Sequence, residues 1–171
     1  MADKFLHNCE HSIEVNVPFI KFRFPQASIV PILMPPMPSI IETARRIGEV
    51  LASQGGKVVC IGSSDLTHYG NDYGFTPAGL GAKGCKWAKE VNDKSLISSI
   101  LEMDCGKVLE KGVNDCSACG PGAIAATIAA AKELGARKAR LLSHIDSSEI
   151  MREKFARSSE SSVGYAGVVF V

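Results

Sequence analysis

The sequence contains no apolar run of membrane-spanning length, no repeat, no low-complexity tract and almost no net charge. With 19 basic and 18 acidic residues among 171, its formal net charge is +1. A transmembrane helix needs about 20 consecutive apolar residues, and nucleic acids or anionic membranes attract a basic patch. We therefore expect neither a membrane nor a nucleic acid as a partner.

Residues 1–7 also lack the apolar core of a secretory signal peptide. We therefore expect a cytoplasmic protein, in which the six cysteines stay reduced. The hydrophobic content of 46% is ordinary, and 171 residues are enough for one domain with a buried core.

Apolar runs that alternate with helical patterns predict one α/β domain over residues 1–171, with a mainly parallel or mixed sheet flanked by helices. Ser39 and Glu42 are spaced as a capping box. The predicted strands are 28–34, 57–62, 138–145 and 163–171, of which 57–62 reads as a buried parallel strand. The predicted helices are 9–22 with an interruption at Pro18, 40–53, 85–101, 104–111 and 121–134, while 70–84 is a long loop and 146–162 a loop or frayed helix.

The segment from Ser63 to Tyr69 follows predicted strand 57–62, at the end of the sheet where open α/β proteins bind ligands. Asp65 and His68 are three residues apart, so one tight turn can bring them together. Asp65 could then orient the imidazole and make it a better base. Alternatively, Asp65 caps the turn and His68 packs with Tyr69.

Cys119 lies just before the helix predicted to begin at Pro121, and a helix N-terminus stabilises the thiolate form of a cysteine. Gly120 and Gly122 would let a ligand approach the backbone closely. Cys119 is alternatively a small buried residue at a tight turn. Cys116 completes a C-x-x-C pair, which by itself is weak evidence for zinc or for a redox site.

Near the chain start, four polar residues would share one helical face: His7, Glu10, His11 and Glu14. Two histidines four residues apart could bind a metal beside a carboxylate, or the face could simply be solvated, which we favour for His7 and Glu10. His144 is predicted to be a packed or surface histidine rather than a ligand.

Several of these segments together resemble the Memo-like family, which includes the AmmeMemoRadiSam system protein B group. The resemblance covers essentially the whole chain, and its most specific parts are EHSIEV at 10–15 and SSDLTHY at 63–69. It is also carried, in the same order, by IVPI at 29–32, Cys119-Gly120 and VGYA at 163–166.

The resemblance implies a LigB-like fold, that of class III extradiol dioxygenases, which use non-haem iron. It makes His68 the acid–base residue with Asp65 beside it, and Cys119 a metal ligand. Supporting pocket residues would be His11, Glu14, Ser64 and Gly120. A full-length family member would then hold Fe(II) or copper.

One difference from the family limits this expectation. Members carry an earlier segment, with a Pro-His-Ala-Gly motif and a second histidine, that supplies two more metal ligands. The present sequence contains no such segment, so we interpret it as a fragment, a mis-started gene model or a shortened member. We therefore expect no stoichiometric metal in the chain as it stands.

Two functions follow from these observations. The first is a metal-dependent oxidoreductase with an incomplete metal site, acting on an unidentified small molecule. The second is a non-catalytic module on the same fold that binds a peptide or a protein. Loss of the family's first segment would expose a sheet edge and an apolar face, so we also expect a homo-oligomer.

Overall fold

A computed structural model describes residues 11–55 and 58–171. Its contacts divide the chain into two compact units, one that ends at Leu33 and one that extends from Met34 to Val171. A single domain over residues 1–171 stays a prediction. Among the described residues, no helix combines the length and the apolarity that a membrane span requires.

The described part of the first unit is built around a short helix. A 3-10 turn at Glu14–Asn16 leads into α1, Val17–Arg23. Pro18 lies in the first turn of α1, where its missing N–H breaks no helical hydrogen bond, so it starts a helix rather than interrupting one over 9–22. The buried strand predicted at 28–34 is wrong, because this segment forms no ladder and Val30 is 80% exposed. Strand propensity alone supplies no pairing partner.

The second unit contains a three-stranded antiparallel sheet in the order β1-β3-β2. Its strands are β1, His68–Tyr69; β2, Ala139–Asp146; and β3, Ser162–Phe170. The α/β class is confirmed, but the described strands pair antiparallel, whereas a mainly parallel or mixed sheet was predicted. Apolar patterning indicates which residues form strands and says little about the direction of their neighbours.

The buried parallel strand predicted at 57–62 is also wrong where the structure describes it. Residues 58–62 join no ladder, and Val59 and Ile61 are 80% and 58% exposed. Lys57 lies outside the described residues. The run from Val58 to Ile61 is apolar, but no neighbouring strand among the described residues covers it.

Helices surround the sheet of the second unit. They are α2, Ser39–Ser53; α3, Gly81–Trp87; a π-helical turn, Ala88–Asp93; α4, Lys94–Leu101; α5, Cys105–Asn114; α6, Pro121–Glu133; and α7, Ser147–Phe155. The predictions at 40–53, 104–111 and 121–134 are confirmed within three residues. The predicted 85–101 helix begins earlier, at Gly81, and contains the π turn, while α7 occupies a segment predicted as a loop or frayed helix.

The capping box is found at a different helix from the predicted one. Ser39 makes no side-chain cap at α2, and Glu42 instead binds Arg45 and Arg46, which lower its pKa to about 2. The complete box belongs to α7, where Asp146 and Glu149 satisfy each other's backbone N–H groups.

The core of the second unit lies between α2, α4, α5 and α6. Its fully buried centre includes Leu96, Val108 and Ile128. Two glycines permit close packing there. A Cβ added at Gly112 would lie 2.2 Å from the Cβ of Pro121, and one added at Gly48 would lie 2.9 Å from the carbonyl oxygen of Ala130. The close packing of Gly112 against Pro121 holds α5 against the start of α6, next to Cys119.

Candidate metal and acid–base site

The 63–69 segment is fixed along the edge of β3. The N–H of Leu66 donates to the Gly164 carbonyl at 2.9 Å, and the Gly164 N–H donates to the Thr67 carbonyl at 3.1 Å. These bonds continue the β1–β3 pairing, in which His68 lies opposite Val163. Leu66 and Thr67 are consequently buried, while the side chains of Asp65 and His68 remain partly exposed.

Asp65 and His68 form the predicted carboxylate–imidazole contact. Oδ2 of Asp65 lies 3.2 Å from Nε2 of His68, and the side chains are 43% and 34% exposed. The His68 ring packs against Tyr73, with ring centroids 4.9 Å apart. Tyr69 instead is fully buried and donates its hydroxyl to the Gly79 carbonyl at 2.7 Å. The contact is thus confirmed, while the catalytic roles of Asp65 and His68 stay predictions.

Cys119 is hydrogen-bonded to Asp65 and contacts Ser64. The N–H of Asp65 donates to the Cys119 sulfur at 3.3 Å, and the Cys119 N–H donates to the Asp65 carbonyl at 3.2 Å. The Ser64 hydroxyl lies 3.8 Å from the same sulfur and accepts the Gly120 N–H at 2.9 Å. Cys119 is exposed, so the alternative of a small buried residue is wrong.

These contacts bring three potential metal-ligand atoms together. One ligand atom each from Asp65, His68 and Cys119 lies within 4.8 Å of the other two. Three protein ligands are the usual number in a catalytic zinc site. Carboxylate, imidazole and thiolate together suit iron, copper or zinc better than they suit magnesium or calcium.

The two supporting residues from the chain start belong to the first unit. His11 and Glu14 are both exposed, and the His11 carbonyl accepts the Val15 N–H at 3.1 Å. Whether they contribute to a pocket stays a prediction. The other two members of the predicted polar face, His7 and Glu10, lie outside the described residues.

Sequence reasoning missed a buried polar group behind the site. The Asp93 side chain is 1% exposed, and its Oδ2 lies 3.1 Å from Nε2 of His144, whose side chain is 8% exposed. Burial raises the pKa of Asp93, and hydrogen bonds from Thr67 and His144 oppose that effect. No clear signal marked it, because Asn92 and Asp93 lie among Lys89, Glu90 and Lys94 in the sequence and resemble part of a solvated helix face.

The other described thiols can be compared with Cys119 by their surroundings. Burial raises the pKa of Cys60 and that of Cys105, and Cys85 is also buried. Cys116 is exposed, and its backbone has a positive φ of 49°. Cys116 is therefore a natural comparison for the reactivity of Cys119.

Comparisons with known proteins address the resemblance directly. The family model described as Memo-like protein matches residues 1–169. The chain belongs to the Memo-like family. Relatives include MEMO1 family proteins of Methanosarcina barkeri, 36% identical over 172 residues, and of Thermococcus kodakarensis, 35% identical over 176 residues.

Both alignments cover 98% of this chain and 58% of the relative. A third MEMO1 family protein, from Pyrobaculum aerophilum, is 35% identical, with 98% of this chain and 54% of the relative covered. The chain thus spans somewhat more than half the length of these Memo-like relatives, and their names state no reaction or ligand.

Proposed function

We propose that this chain contributes part of a metal-dependent oxidoreductase site, on a fold like that of class III extradiol dioxygenases. In this proposal Cys119 is a metal ligand, and Asp65 and His68 form an acid–base pair. The observation that supports it most directly is the clustering of their three ligand atoms within 4.8 Å. The native substrate would be a small molecule that reaches this partly exposed cluster.

The residues present fit a metal of intermediate softness. The Cys119 sulfur accepts a backbone N–H, as suits the thiolate, which is the form of cysteine that binds metals. Cys119 would hold the metal, with His68 and Asp65 as the nearest additional donors. When bound, a redox-active metal would supply Lewis acidity and electron transfer.

The Asp65–His68 pair would handle protons. If Nε2 of His68 carries the proton donated to Asp65, its other ring nitrogen is the free base. Asp65 would keep the imidazole oriented and stabilise its charged form after it accepts a proton. The Tyr73 ring, against one side of the imidazole, would restrict its rotation.

We expect this site to be incomplete as it stands. The resemblance assigns two further histidine ligands to a segment that this sequence does not contain, and Asp65 and His68 are hydrogen-bonded to each other. We therefore expect the chain to bind Fe(II) or Cu(II) weakly and to retain no stoichiometric metal after gel filtration.

Metal analysis and anaerobic Fe(II) titration would test the proposal, followed by oxygen-uptake assays with catechols. Cys119→Ser should abolish the weak binding, whereas Cys116→Ser, at an exposed neighbouring thiol, should leave it intact. Equal binding in both variants would refute the role of Cys119. One tightly held ion per chain, lost in His68→Asn, would show that His68 is a ligand rather than the base.

A second candidate is a non-catalytic module that binds an extended peptide. It is favoured by the exposed apolar side chains of Val59 and Ile61, a few residues before Asp65, since extended peptides pair with exposed backbone edges. Peptide binding that is unchanged by a chelator and by Cys119→Ser, and lost in Val59→Lys, would support this candidate over the enzyme.

A further inference from the structure

Two buried residues, Leu66 and Thr67, separate the two members of the acid–base pair. Thr67 is the polar one and is fully buried. Its carbonyl accepts the Gly164 N–H at 3.1 Å, while its own N–H points to the opposite side, toward the π turn. The conformation of Thr67 therefore contributes to the relation between the Asp65 and His68 side chains.

Asp93 holds Thr67 through one carboxylate oxygen. Oδ1 of Asp93 accepts the Thr67 N–H at 3.0 Å and the Thr67 hydroxyl at 2.5 Å. The other oxygen contacts His144 on β2. Gly164 makes room for this carboxylate, because an added Cβ would lie 2.1 Å from Oδ2. A buried carboxylate with three hydrogen-bond partners is costly to place, so its geometry is strongly defined.

Asn92 connects the same threonine to the segment that carries the cysteine. Its Nδ2 donates to the Thr67 hydroxyl at 3.1 Å and to the Asp115 carbonyl at 3.0 Å. Asp115 follows the end of α5, four residues before Cys119. The Thr67 hydroxyl thus donates to Asp93 and accepts from Asn92, and one amide group spans the two halves of the site.

Asn92 and Asp93 lie at the end of the π turn, and both side chains face inward. They are 6% and 1% exposed. A π turn is wider than an α turn and is found mostly as a local feature, frequently at functional sites. Here it occupies Ala88–Asp93 and ends at this pair.

We propose that Asn92 and Asp93 are positioning residues that hold the Asp65–His68 segment and the Cys119 segment in one arrangement. Neither residue would touch the substrate or the metal. The inference rests on the proposed function, but the arrangement of the two segments can be measured without metal, substrate or turnover.

The test compares alkylation of Cys119 with that of Cys116 in the same folded protein. Thr67→Val removes the hydroxyl at nearly constant shape, and Asn92→Leu removes the bridging amide. Each should weaken the Asp65 N–H bond to the sulfur and lower the Cys119/Cys116 rate ratio about two- to tenfold, the worth of one ordinary hydrogen bond. Thr67→Ser, which keeps the hydroxyl, should retain the native ratio.

Ser99→Ala is the matched control. Ser99 is 1% exposed on the adjacent α4, where its hydroxyl contacts only the Ser95 carbonyl, at 3.5 Å, among the described hydrogen bonds. It should cost stability without changing the rate ratio. A native ratio in both Thr67→Val and Asn92→Leu would overturn the proposal, as would an equal change in Thr67→Ser or Ser99→Ala.

Amide hydrogen exchange of the unmodified chain covers the case in which the variants do not fold. If Asn92 and Asp93 join the two segments, the N–H groups of Thr67 and Cys119 open together and their opening free energies agree within about 1 kcal/mol. Independent opening of the Cys119 amide at much lower free energy would overturn the proposal. Neither result depends on metal binding, so the proposed function can fail separately.

Discussion

The backbone N–H of Asp65 donates a hydrogen bond to the sulfur of Cys119, 54 positions later in the sequence, at 3.3 Å. The carboxylate of the same residue contacts His68. Asp65 therefore joins the thiol to the imidazole through its main chain and its side chain. A substitution at Asp65 should remove the contact with His68 and keep the hydrogen bond to the sulfur, because every residue except proline retains the N–H donor.

Cys119 should be the first of the described cysteines to react with a short pulse of iodoacetamide near neutral pH. It is exposed and lies just before the start of α6, where its sulfur accepts the Asp65 N–H. Burial raises the pKa of Cys60 and of Cys105, which slows both. Mass-spectrometric mapping gives the order. Faster labelling at Cys116, which is also exposed, would mean that exposure alone sets the rate.

Asp93→Asn should change how stability depends on pH. Burial raises the folded-state pKa of Asp93 above its ordinary value of 3.8, so folding favours the protonated carboxyl. The stabilisation that the protonated Asp93 carboxyl provides is fully present below pH 3.8. It is lost as the pH rises through the folded-state pKa. Asp93→Asn should remove this decline, so the variant gains stability relative to the native chain as pH rises.

Urea unfolding at several pH values between acid and neutral would measure that difference. Asp72→Asn is the control, because Asp72 is exposed in the 3-10 turn after β1. A difference between Asp93→Asn and the native chain that stays constant with pH, or shrinks as pH rises, would contradict the prediction.

Two glycines of α5 should respond differently to alanine. Gly112→Ala places a Cβ 2.2 Å from Pro121 and should lower the free energy of unfolding by about 1–3 kcal/mol. Gly106→Ala meets nothing closer than 3.5 Å, so the effect should be neutral or stabilising by up to about 1 kcal/mol. Chemical denaturation of both variants decides this, and equal losses would show that α5 and α6 do not pack as described.

Self-association should depend on the apolar segment before the site. Val59 and Ile61 are exposed in a stretch without ladder pairing, and such backbone and apolar surface favour association. We expect an oligomer that Val59→Lys with Ile61→Lys weakens, whereas Val113→Lys, at a half-exposed position of α5, does not. Light scattering over a range of concentrations is the measurement, and a monomer at every concentration would contradict it.

Local signals in the sequence were sufficient for part of the site. The spacing of Asp65 and His68 predicted their contact, and Pro121 with Gly135 marked the ends of α6. These features depend on residues close together in the chain. The meeting of Asp65 with Cys119 depends on how β1 and α6 are placed in space, which no local pattern encodes.

The errors have related causes. Residues 58–62 have the composition of a buried strand, but composition cannot supply the neighbour that would bury Val59. His144 is packed, which is one of the two alternatives predicted for it, but its partner Asp93 was missed because an aspartate within a helix is ordinarily solvated. Ser39 and Glu42 matched a capping pattern, but Arg45 and Arg46 compete for the glutamate.

The π turn at Ala88–Asp93 has a consequence for the kinds of sequence change that the site can accept. Such a turn arises where a helix contains one residue more than regular α geometry needs. Substitutions at its exposed positions, such as Val91, would leave the path of the chain unchanged. Deleting one residue there would restore a regular α-helix and change the directions of the residues within the former turn, including Asn92 and Asp93. Asn92 and Asp93 could then no longer both face Thr67, so the length of this turn would matter more than its composition.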